Sequence, residues 1–297
     1  MKKYLLFTFI SLFVSFNACN YFESDNPTGI SKIDVRLTNL KPLADSLVYV
    51  GWITTNADSS FKIFESNVDQ SGVITVTTTN NFGGLHKAQQ FRITVEELPD
   101  SGSITSPGNR VVLSGRFTLG QARLNLGEEV DFNSANGVFS ITTPTDSFDN
   151  NLSGVWFVDS LSRAGGPIAG LNLPLLYDGW TYEGLVLVNS DTLSIGTFSN
   201  PETADDSSKY NGSGTGFPFP GEDFLLNPPP GLTFPLDLSS AQVIVTFKLN
   251  IKNSTFATKL LEATVPAGVQ ANTTHPLQRI DAQVPSGLVS ITVDIVE

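Results

Sequence analysis

NLKPLADSLVYVGWITTNADSSFKIFESN, residues 39–67, returns later in the chain as NLPLLYDGWTYEGLVLVNSDTLSIGTFSN, residues 172–200. Displaced by 133 positions, the two segments align without a gap and agree at ten of 29 positions, among them Tyr49/Tyr182, Gly51/Gly184, Asn56/Asn189 and Asp58/Asp191. Each copy runs from a Leu-rich entry through a β-rich stretch, a polar break and a second β-rich stretch. That is the pattern of a hairpin, because Asn and Asp bond their own backbone and tolerate left-handed turn geometry. A duplicated hairpin predicts a duplicated β unit.

The rest of the chain extends this reading in both directions. Residues 32–40 (KIDVRLTNL) alternate Ile33, Val35 and Leu37 with polar neighbours, the period of a half-buried strand. Further strands are predicted at 47–53, 61–64, 73–79, 91–97, 111–119 and 138–143, and in a second series at 154–158, 181–188, 192–198, 242–250, 259–265 and 288–296, each bounded by Gly, Pro, Asn, Asp or Ser. Residues 255–265 (TFATKLLEATV) suit a helix by composition; the duplication assigns them to a strand, because RVVLSGRF holds the corresponding place in the first copy. Parallel α/β folds are excluded by the missing crossover helices. The expected fold class is all-β, with two tandem antiparallel β-sandwich domains, 31–148 and 149–297, joined near DSFDNN (146–151).

The N-terminus reads as an address. Lys2 and Lys3, an apolar run over 4–16 and Ala18 just before Cys19 make a lipoprotein signal peptide over 1–18, with Cys19, the only cysteine, as the lipid-attachment residue. Phe16 stands where such signals usually carry an aliphatic residue, and the competing reading is an ordinary signal cut nearby. The apolar run is too short to span a bilayer. Residues 19–30 are expected to be a flexible tether, and the protein to sit on the bacterial cell envelope, on the outer membrane, held there by acyl chains. Cleavage removes two lysines from a chain of formal charge −12, leaving −14. That charge, with no basic stripe, makes nucleic acid a poor partner and anionic lipid a poor docking surface.

Three blocks resemble the extracytoplasmic C-terminal domain of anti-sigma-K factors: LTNLKPLADSLVYVGWI (37–53), FRITVEELPDSGSITSPGNRVVLSGRF (91–117), and GLNLPLLYDGWTYEGLVLVNSDTLSIGTFSN (170–200) with PFPGEDFL (218–225). The resemblance implies a non-catalytic binding or sensing module outside the cytoplasm, present here as a tandem duplication. It also implies a partner protein or glycan in the envelope. No contact with a cytoplasmic sigma factor is expected, because the chain carries neither the membrane-spanning helix nor the His/Cys-bearing helical domain of that family. The alternative is a structural or adhesion lipoprotein, glycan-binding in one form, with the duplicated unit as a spacer.

No catalytic, cofactor or metal site is predicted. His86 and His275 lie in loop-like sequence without nucleophile or metal spacing, and YNGSGTG (210–216) lacks the Lys and the strand-to-helix setting of a phosphate loop, so it reads as a flexible turn. Glu202, Asp205, Asp206, Glu222 and Asp223 invite calcium but lack the alternating Asp/Asn register, which leaves an acidic solvated loop. The long segment 200–236 is the candidate recognition loop, with Phe217, Phe219 and Phe224 as its partner surface. The competing reading has its phenylalanines fold back to close one end of the second unit.

Overall fold

A computed structural model describes residues 30–55, 59–80, 87–99, 101–126, 132–146, 148, 150–159, 161, 165–176, 178–251, 256–280 and 285–294. Cys19, His86, Asn56 and Asp58 lie outside the described residues. Those residues are almost wholly strand and turn, with antiparallel pairing throughout and no α-helix among them.

One four-stranded sheet has the order β4 (Ile74–Asn80), β1 (Ile30–Thr38), β19 (Ser286–Asp294), β7 (Gln121–Leu124). A second has the order β3 (Ser60–Ser66), β2 (Leu47–Thr55), β5 (Ala88–Glu97), β6 (Val111–Arg116). The largest sheet follows β14 (Asp191–Phe198), β13 (Trp180–Val188), β16 (Gln242–Leu249), β17 (Ala257–Thr264), β18 (Thr273–Arg279), β8 (Asn136–Ile141), β9 (Gly154–Trp156) and β15 (Gly221–Asp223). Short strands β10 (Val158–Asp159), β11 (Ile168–Ala169) and β12 (Leu171–Asn172) fill the connection from β9 to β13.

Burial explains the strand sequences. On β1, Ile33, Val35 and Leu37 are buried while Lys32 and Arg36 are exposed, so one face meets the core. The run LVYVGWI of β2 has no such alternation because both its faces are covered. Leu47, Tyr49 and Ile53 join the main core; Val48, Val50 and Trp52 form a small second cluster packed by Ile104. Trp52 Nε1 donates to Thr94 Oγ1 at 2.9 Å, so the buried indole keeps its hydrogen bond.

The duplication is visible in detail. Tyr49 donates its hydroxyl to the Lys41 carbonyl and Tyr182 donates to the Pro174 carbonyl, at 2.6 and 2.5 Å, each eight residues upstream. Burial holds both phenols protonated far above the usual tyrosine range. The β2–β3 pairing slips between Gly51 and Trp52, and the β13–β14 pairing slips between the matching Gly184 and Leu185. A Cβ on Gly51 would strike the Phe64 ring and one on Gly184 would lie 2.8 Å from Phe157, so both bulges require glycine. Asn189 has φ 56°, the left-handed turn geometry expected of the repeated Asn-x-Asp.

The order β4-β1-β19-β7 reappears as β15-β9-β8-β18, and β3-β2-β5-β6 reappears as β14-β13-β16-β17. In this correspondence β8 matches β19. Both carry Gly-x-x-Ser-Ile-Thr, in β8 with its Thr142 just past the strand end, and Gly137, Ser140, Ile141 and Thr142 stand at a constant spacing of 150 from Gly287, Ser290, Ile291 and Thr292. Their registers also correspond: Ser290 faces Asp34 and Gln121, and Ser140 faces Trp156 and Thr274. The expected boundary at 148/149 therefore does not follow the strand pairing. β8, read as the end of the first unit, belongs to the large sheet; β19, read as the end of the second, lies between β1 and β7. Alternation reports which face of a strand is buried, not which edge it joins.

Strands β8 to β18 thus form a contiguous half inserted between β7 and β19. Gly137 pairs opposite Leu277, so its entry and exit lie side by side, and the first half sees the insertion as a widened turn. The halves also touch: Trp180 Nε1 donates to the Val111 carbonyl at 2.8 Å, and one continuous set of buried apolar side chains runs through both. Phe132, on the connection into β8, stacks on Phe247 with ring centroids 5.0 Å apart. No described helix is long and apolar enough to cross a membrane.

Candidate binding surface in the 200–236 segment

The long segment between β14 and β16 is organised by carboxylates pointing inward. Strand β15 pairs with β9, placing Gly221 opposite Trp156 and Asp223 opposite Gly154. Glu222 and Asp223 are both fully buried. The expected solvated acidic loop is corrected for Glu222, Asp223 and the half-buried Asp205, which serve as acceptors for the segment's own donors; Glu202 and Asp206 are exposed as expected. Such pairing is what burial of a carboxylate requires.

Asp223 Oδ1 accepts from Trp156 Nε1 at 2.6 Å, and its Oδ2 accepts from the Thr145 amide and hydroxyl at 2.7 and 2.5 Å. Glu222 accepts from Ser207 Oγ at 2.8 Å and from the Tyr210 amide at 2.9 Å. Asp205 accepts from the amides of Ser207 and Gly221, each at 2.8 Å. Asp206 caps Thr197 through its amide and hydroxyl at 2.6 and 2.7 Å. Burial pushes Asp205 up to about 6 and Glu222 up to about 7, overcoming the donors that favour the charged forms; the neighbouring charge of Asp206 adds to the rise at Asp205, and that of Asp205 adds to it at Glu222. Burial raises Asp223 as well.

Thr145, on the connection from β8 to β9, is the hub. Besides its two bonds to Asp223, its hydroxyl accepts from the Gly212 amide at 2.8 Å and its carbonyl from the Gly214 amide at 2.9 Å. A Cβ on Gly214 would lie 2.9 Å from Thr145 backbone atoms. YNGSGTG is therefore a fitted strap over Thr145, not the flexible turn expected, and these two amides are already spent. Nothing in the local sequence around Thr145 announced the role, since its partners lie 67 and 78 residues away.

Of the predicted surface residues, Phe224 is fully buried and is removed from that surface. It packs on Tyr210 and Phe234 at centroid distances of 5.6 and 6.0 Å, closing one end of the second half as the competing reading expected. Phe217 is half-buried and sets its edge on the Trp156 ring at 5.4 Å. Phe219 is half-buried too. The exposed large apolar side chains described in this half are others: Phe148 at 78%, Leu175 at 77%, Leu226 at 51% and Ile168 at 40%.

His275 lies within β18, not in a loop. Its Nε2 is 2.9 Å from Thr273 Oγ1, and the Thr273 hydroxyl gives its proton to the Gln270 carbonyl at 2.5 Å, so the imidazole serves as donor to Thr273 and not as its base. Partial burial lowers its pKa. Among the described residues no group of three His, Cys, Asp or Glu side chains is arranged to hold a metal ion. The chain matches no family model, no curated protein and no solved structure.

Proposed function

We propose that this chain is a cell-envelope lipoprotein, anchored through acylated Cys19, that serves as a non-catalytic binding or sensing module outside the cytoplasm. The observation that carries the reading is the N-terminal sequence MKKYLLFTFISLFVSFNAC, a basic start and short apolar run that end at the only cysteine. Resemblance to the outer domain of anti-sigma-K factors supports the sensing role. So does the site chemistry: the buried carboxylates and strap amides are spent on each other, which builds a rigid loop rather than a reactive one. The envelope partner is a protein or a glycan meeting the rim around Phe217 and Phe219. Insertion of one half into the other, which stiffens the pair, favours a second reading as a structural or adhesion component.

The test is Cys19→Ala in cells fed a labelled fatty acid. The natural chain is expected to carry label and fractionate with membranes, and the variant to lose both; label or membrane association kept by the variant overturns the anchor. Cross-linking of Phe217 and Phe219 positions to an envelope protein supports sensing, and retention on immobilised glycans supports adhesion.

A further inference from the structure

The slot between β1 and β7 is filled by β19, the last of the described strands. β19 pairs with β1 at nine positions and with β7 at four, and drives Val289 and Ile291 into the core. β8 fills the matching slot between β9 and β18 with the same Gly-x-x-Ser-Ile-Thr, driving in Phe139 and Ile141. The glycine is needed in both: a Cβ on Gly287 would lie 2.6 Å from the Leu37 side chain, and one on Gly137 would lie 2.6 Å from Leu171. Two slots of one register accept two strands of one pattern. The two strands share a pattern but not the volume they bury, since Phe139 on β8 stands where β19 has Val289.

We infer that the β1–β7 slot is a strand-accepting site, and that a second copy of this chain can supply its occupant. An empty slot would present two unpaired strand edges and an open core, so it must be filled by some extended segment. The segment of matching pattern attached to the right length of chain is β19, and the β19 of another molecule offers identical hydrogen bonds and side chains. Closure within one molecule is favoured by the tether; closure between molecules conserves every strand contact and differs only in which chain β19 leaves. The balance is therefore set by concentration at the moment of folding. The product is a reciprocal strand-exchanged dimer.

Cys19 is the only native cysteine, so disulfide trapping reads the exchange cleanly in a Cys19→Ala background. Asp34 and Ser290 are register partners on the outer face. Two full-length chains with different tags, one Asp34→Cys and the other Ser290→Cys, are unfolded, mixed, refolded together and oxidised. The covalent heterodimer is expected to rise at least about tenfold as the refolding concentration rises from about 1 to about 500 μM, approaching the roughly millimolar effective concentration of a short tether. The control mixes Thr38→Cys with Thr292→Cys chains, whose register partners are Ser286 and Lys32, so the two cysteines stay about 20 Å apart in any exchanged pair. A single chain carrying both Asp34→Cys and Ser290→Cys, oxidised before mixing, should form no dimer. Heterodimer no greater than the Thr38/Thr292 background, or independent of concentration, overturns the proposal.

Discussion

Glu222 and Asp205 act on stability in the opposite sense from most carboxylates. A carboxyl whose folded pKa lies above its unfolded value holds its proton more tightly when folded; its stabilising effect is complete below the unfolded value and is lost as pH rises through the folded one. The window runs from 3.8 to about 6 for Asp205 and from 4.5 to about 7 for Glu222. His275, lowered by burial, works against them over the acidic part of this range, while Asp34 and Asp69 are lowered by their hydrogen-bond donors and act at still lower pH. The protein should accordingly melt higher at pH 5 than at pH 8. Glu222→Gln keeps the acceptor for the Tyr210 amide and lets Ser207 turn to accept, so it should narrow the difference chiefly by gaining stability at pH 8. An unchanged pH profile in thermal melts would mean that Glu222 is ionised throughout. At the tyrosines, Phe at position 49 or 182 removes a donor to a part-buried carbonyl, and each change should lower stability by about 1 kcal/mol in denaturant midpoints. Matching losses are expected because the corners are copies.

At the scale of elements, legibility in the sequence followed local pattern. β1, β2, β13, β14 and β16 were readable because alternation or a continuous apolar run marks a strand whatever it pairs with, and the repeat gave the β17 assignment against helical composition. β15 was missed: Gly221, Glu222 and Asp223 carry no apolar signal, and their burial rests on donors from Thr145, Ser207 and Tyr210 that only the fold brings near. β7 is only four residues long, and β18 carries Pro276, which argues against a strand until its pairing with β8 is seen. The Gly-x-x-Ser-Ile-Thr of β8 and β19 was present in the sequence as a second repeat at a different spacing. The fate of the candidate surface was not legible, because phenylalanines between prolines suit packed and exposed loops equally; the fold buries Phe224 and leaves Phe217 and Phe219 half-buried. The strap makes its own prediction. Thr145→Val deletes the hydroxyl shared by Asp223 and Gly212, leaving a buried carboxylate short of a donor, and should cost about 2 to 3 kcal/mol. It should also speed proteolysis within 200–236 before the rest of the chain. Cleavage spread evenly over the chain would remove Thr145 as the hub.

For the whole molecule, the two halves differ in how their chain is closed although their strands correspond one for one. The second half, from β8 to β18, is contiguous and holds all eight of its principal strands. The first half is complete only when β19 arrives, after the second has been passed through. Stopping the chain after residue 285 should therefore strike the halves unequally. The first loses Val289 and Ile291 from its core and exposes the facing edges of β1 and β7. The second loses no strand. Hydrogen exchange separates the outcomes through amides of the matching strands β2 and β13: protection around Tyr49 should collapse while protection around Tyr182 persists. If β8 leaves its own slot for the vacant one, the pattern reverses and Tyr182 loses protection first. Equal loss at both would mean that the shared core around Trp180 and Val111, and not strand closure, decides how the molecule opens. Unequal loss is expected, because each half needs its own inner strand more than it needs its neighbour.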